Sequence, residues 1–92
     1  MSNELYSKLQ HCLDSYMELR GKKEIDEMEA NSELARQGLL EDDQAHPGRP
    51  LRELLSRLRD SNMLPRNVKQ VFGAWKIKHS RALQMRQQIF MF

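Results

Sequence analysis

Threonine is absent from the sequence, and other β-branched residues are scarce, with two Val and three Ile. Strands favour such residues because they pack well on a pleated surface. Thirteen Leu and six Met supply most of the apolar content instead. Unbranched side chains lose little rotamer freedom in a helix, so composition predicts helices. The single cysteine, Cys12, excludes an internal disulfide and fits a reducing compartment. No apolar run approaches the roughly 18 residues of a membrane span, and no basic-then-apolar leader opens the sequence. The expectation is a cytoplasmic protein with no membrane partner.

Chemical motifs are equally sparse. There is no glycine-rich phosphate loop and no G-x-S-x-G nucleophile turn. His11, His46, His79 and Cys12 lack the paired spacing of a structural zinc site. Glu41-Asp42-Asp43 lacks the surrounding pattern of a calcium loop and reads as a solvated acidic loop. Cys12 sits on an apolar stripe and reads as a small buried hydrophobe, not a nucleophile. No metal, no cofactor and no enzymatic activity are expected.

What is present is a helical periodicity and a divided charge. A chain of 92 residues is one domain by size. Leu, Ile, Val and Phe total 21 residues, just above the roughly 20% level below which disorder becomes the default. The core should therefore be thin. Leu5, Leu9, Cys12, Leu13, Tyr16 and Met17 form a stripe of helical period, predicting a helix from about residue 3 to Arg20 that stops at Gly21. Ile25, Met28, Ser32, Ala35 and Leu39 predict a second helix from near Glu24. Residues 41–50, with Pro47-Gly48 and Pro50, form a loop. Pro50 suits the first turn of a third helix, whose Leu51, Leu54, Leu55 and Leu58 give the cleanest amphipathic signal in the chain.

The last segment reads two ways. Val68, Val71, Phe72 and Trp75 repeat the spacing of a helix that would run from Pro65 to about Gln88, although Ile77 falls on its polar side and Gly73 weakens it. The alternation of Val71, Gly73, Trp75 and Ile77 fits strands instead. The fold expected first is all-α, a bundle of about four helices with a helix-turn-helix-like C-terminal half. The alternative is a winged-helix-like layout with a short β-ribbon at 68–78.

Charge divides the chain in two. Residues 1–46 hold five basic and eleven acidic side chains, a net of −6. Residues 47–92 hold ten and two, a net of +8. A cationic half favours polyanions because each neutralised phosphate releases condensed counterions. The bland reading is that the two halves neutralise each other, within one chain or between two copies.

In the helical reading, Arg66, Lys69, Gln70, Lys76 and Arg81 gather opposite Val68, Phe72 and Trp75, with Arg52, Arg57 and Arg59 on the preceding helix. Arg and Gln can read base edges, and Lys and Arg can hold phosphates. Phe72 and Trp75 can stack on bases, but their spacing assigns them to the core. The sequence thus predicts a small nucleic-acid-binding regulatory or accessory protein whose partner is DNA or RNA. A second reading is a protein-interaction module, an adaptor or inhibitor, docking through the apolar Ile89, Phe90 and Phe92. A homodimer through the first two helices and this tail would also cover those residues.

Overall fold

The computed structural model describes residues 2–81. In chain order these form α1 (Ser2–Arg20), β1 (Glu24–Asp26), α2 (Glu27–Arg36), α3 (Arg49–Asp60), β2 (Val68–Val71) and β3 (Ala74–Lys78). The three strands make one antiparallel sheet in the order β1-β3-β2. The architecture is α+β, which overturns the expected all-α four-helix bundle.

The correction lies in the last segment. Phe72 and Gly73 have φ of 51° and 81°, so the chain reverses there and cannot continue a helix. Such two-residue turns with both φ positive match the twist of an antiparallel hairpin. Val68 and Ile77 face each other, as do Gln70 and Trp75. Val68, Trp75 and Ile77 are buried, while Val71 and Phe72 are exposed. The helical spacing of Val68, Val71, Phe72 and Trp75 is therefore a coincidence of a hairpin, and the strand alternation at 71–78 carries the structure. Beyond Arg81 the expected helix end, together with Ile89, Phe90 and Phe92, lies outside the described residues.

A second correction concerns residues 24–26, expected to open a helix. They form β1, with Ile25 opposite Ile77. Asp26, in extended backbone, accepts a 2.8 Å bond from the N–H of Glu29 and so caps α2. Such a cap is worth about 1 kcal/mol. The buried residues of α2 are Glu27, Ala30, Asn31, Glu33 and Leu34, with Met28 and Ser32 exposed. The predicted seam through Met28 and Ser32 is thus rotated out of the core.

Elsewhere the apolar stripes hold in their central residues, while Leu5 at the start of α1 is exposed and Cys12, expected to be buried, is half-buried. Leu9, Leu13 and Met17 of α1 and Leu51, Leu55 and Leu58 of α3 meet Ile25, Ala30, Leu34 and the sheet residues in one core. Each fully buried Leu contributes about 1.5–3 kcal/mol. Trp75 lies at its centre with no exposed surface. Among the described residues, no helix is long and apolar enough to cross a membrane.

The loop between α2 and α3 is organised from within. Asp42 accepts bonds from the N–H groups of Asp43 and Gly48, and Asp43 from those of Ala45 and His46. The acidic run is therefore a scaffold for the start of α3 as well as a charged surface. Gly48 stands at the N-terminus of α3 with φ of 87° and no capping side chain of its own. A Cβ there would lie 3.1 Å from the backbone Cα of Met28, so α2 and α3 touch through a glycine. The cap comes from α2 instead. Fully buried Asn31 accepts a 2.8 Å bond from the N–H of Leu51 and donates a 3.0 Å bond to the carbonyl of Glu41.

Candidate nucleic-acid interface

The leucine stripe of α3 fixes which of its residues meet solvent. With Leu51, Leu55 and Leu58 buried, the opposite face presents Arg49, Arg52, Glu53, Ser56 and Arg57. These are spaced at i, i+3, i+4, i+7 and i+8, one continuous row of the helix. Together with His46 from the preceding loop they line a shallow, open depression. Arg49 pairs with Glu53 at 3.1 Å. Arg52 and Arg57 have no ion-pair partner among the described residues. Arg52 and Arg57 were expected from the sequence. Arg49, Ser56 and His46 were missed, although Arg49 is signalled by its place three residues before Arg52 on the polar side of the leucine stripe.

Arg59 has a different task. Its guanidinium lies 5.8 Å from the centre of the Trp75 ring and donates a 2.6 Å bond to Gln70 on β2. It also contacts Asp60 at 3.2 Å. Arg59 and Gln70 therefore join the end of α3 to the hairpin and cover the core, with no base-reading geometry of their own.

The remaining expected residues do not share one face, because the segment is a hairpin. Lys69 and Lys76 stand opposite each other in register, on the side of the sheet away from Trp75. Like charges directly opposite are unfavourable unless an anion lies near. Asp26 follows in the same row and Glu24 lies opposite Lys78. Arg66 is exposed in the turn before β2. Arg81 lies beyond the end of β3 far from the hairpin turn, where Ser80 is held by Asp14 of α1 through both its N–H and its hydroxyl. His79 beside it contacts Glu18 at 2.6 Å.

The acidic side chains of α2 are tied up in the fold. Glu27 accepts the N–H of Trp75 at 3.3 Å. Glu29 takes 2.6 Å bonds from the Lys22 ammonium and the Tyr16 hydroxyl, which hold its carboxyl below the usual range. Glu33 is gripped by both nitrogens of the Arg36 fork at 2.8 and 2.9 Å, with the same consequence. Cys12, half-buried nearby, has its thiol pushed up by burial and by Glu33, so it stays protonated and weakly nucleophilic at neutral pH. Among the described residues, no three His, Cys, Asp or Glu side chains converge as a metal site.

No family model, curated protein or solved structure matches this chain.

Proposed function

We propose that this protein is a small non-enzymatic regulatory or accessory protein that binds duplex DNA, laying the outer face of α3 along the major groove. The carrying observation is the row Arg49, Arg52, Ser56 and Arg57 on the outer face of a helix whose opposite face is locked into the core, with Arg49 and Arg57 exposed and Arg52 and Ser56 half-buried. The succession helix, strand, helix, helix, strand, strand supports the reading. It is a winged-helix-like layout in which α2 braces α3 and the β2–β3 hairpin flanks it. The α2–α3 pair here replaces the helix pair 50–81 expected from the sequence. Its connection, residues 37–48, is longer than the tight turn of a helix-turn-helix.

DNA is favoured over duplex RNA on dimensions. The major groove of B-form DNA admits an α-helix, whereas that of A-form RNA is too narrow. Arg52 and Arg57 are free to hold phosphates or guanine edges. Localisation in the cytoplasm belongs to the same proposal.

Fluorescence anisotropy tests it with labelled duplex DNA, single-stranded DNA and duplex RNA at low and near-physiological salt. Duplex DNA should bind most tightly. Three to five phosphate contacts would give a log–log salt slope of about −2.7 to −4.5. Absence of duplex binding at low salt would overturn the reading. It would leave the protein-interaction alternative, whose Ile89, Phe90 and Phe92 lie outside the described residues.

A further inference from the structure

The hairpin turn carries the most exposed large apolar side chain among the described residues. Phe72 is 104% exposed, as open as a free side chain. Its φ of 51° is a conformation that bulky L-residues rarely adopt, whereas Asn or Gly takes it readily. Gly73 beside it meets the same demand with no side chain, and nothing lies within 4 Å of where a Cβ would stand. The ring thus incurs backbone strain and exposes apolar surface, and it contacts nothing in the fold. Val71 beside it is also exposed, at 41%. Behind this apolar tip come Lys69 and Lys76, face to face. Asp26 is next in that row, but its carboxylate is turned to the N–H of Glu29.

An aromatic tip on a cationic stem matches a ligand with flat apolar faces set between phosphates. Apolar wedges of this kind enter the minor groove and part-unstack a base step, while basic residues hold the flanking backbone. An apolar protein pocket would fit the ring equally well, but it makes no use of two opposed lysines. We propose that Phe72 is a base-stacking wedge that inserts at a weakened step of duplex DNA beside the groove occupied by α3. This rests on the proposed binding of α3 to duplex DNA and adds the element that selects the site. Unstacking is cheapest at a mismatched pair, so the wedge gives the protein a preference for locally weakened duplex.

The test uses the full chain and two 20-base-pair duplexes, one matched and one with a central mismatch next to 2-aminopurine. Phe72→Asn removes the ring and suits the turn better than phenylalanine does, so the variant keeps its fold. Phe72→Tyr keeps a ring that can stack. The wild type and Phe72→Tyr should bind the mismatched duplex about 5- to 20-fold more tightly than the matched one and change the 2-aminopurine emission. Phe72→Asn should lose both effects and keep matched-duplex affinity within about threefold. Equal mismatch preference in Phe72→Asn, or unchanged 2-aminopurine emission on binding, would overturn the wedge and leave the role of α3 standing. Loss of matched and mismatched binding together in Phe72→Asn would also overturn it, making the ring a general contact. A wild type that binds neither duplex overturns the α3 reading and the wedge with it.

Discussion

Helices α2 and α3 are similar in length and carry similar densities of charge, yet they use it in opposite ways. On α2, Glu27, Glu29 and Glu33 each find a partner within the fold: the Trp75 backbone, the Tyr16–Lys22 pair, and Arg36 with Gln37. On α3, Arg52 and Arg57 find none among the described residues. Charges spent on internal bonds hold the structure together, while those left over are available to a partner. The acids of α2 bond to their own neighbours and to the sheet, not to the outer face of α3.

The sharpest way to break the comparison is at the joint between the two helices. Asn31→Ala removes the cap of α3 and the tie to Glu41, leaving the buried N–H of Leu51 unpaired. It should cost about 2–4 kcal/mol, read from urea denaturation. Gly48→Ala at the same joint should cost about 1–3 kcal/mol, since φ is positive and the backbone of Met28 blocks the added methyl. A near-neutral result would mean the two helices do not pack as closely as described.

On the outward side the expectation inverts. The double variant Arg52→Glu, Arg57→Glu should leave stability within about 0.5 kcal/mol, as surface changes do. It should weaken duplex DNA at least tenfold, about 1.4 kcal/mol. The pair Lys69→Glu, Lys76→Glu, on the hairpin stem behind Phe72, should weaken matched duplex DNA less. If the lysine pair mattered more, the docking surface would be the sheet and not α3.

Acid sharpens the contrast further. Glu29 and Glu33 have folded pKa values depressed below the ordinary 4.5 by Lys22 and Arg36 respectively. A depressed carboxylate stabilises the fold above its unfolded pKa and loses that contribution as pH falls through the folded value. Stability should therefore decline on acidification below about pH 4.5. Glu29→Gln with Glu33→Gln should flatten that decline, as followed by thermal melts across pH. The smallest effect is a gain: Phe72→Asn should raise stability by about 0.5–1 kcal/mol by relieving the turn.

The sequence showed α1 and α3 clearly because their stripes run for several turns between plain stop signals. It also held the hairpin, as the alternation through Trp75 and Ile77, but a four-residue match to helical spacing competed with it. Strand β1 was hidden because three residues carry no periodicity. Its identity depends on Ile25 meeting Ile77, 52 positions away. The place of Arg52 and Arg57 on the polar face of α3 was legible because a helix face follows from its own sequence. The grouping of Arg66, Lys69, Gln70, Lys76 and Arg81 failed because a hairpin sends alternate residues to opposite sides. Phe72 was assigned to the core for the same reason.

Trp75 is the sole tryptophan of the chain. Its indole is buried, its Nε1–H has no hydrogen-bond partner among the described residues, and the Arg59 guanidinium stands 5.8 Å from its ring centre. Such a fluorophore emits towards the blue and responds to the nearby cation. Any event that draws Arg59 off the ring, whether a phosphate at the end of α3 or a shift of Gln70 with the hairpin, therefore registers as a change in colour or brightness. The protein carries its own optical gauge at the hinge between helix and hairpin, with no label required.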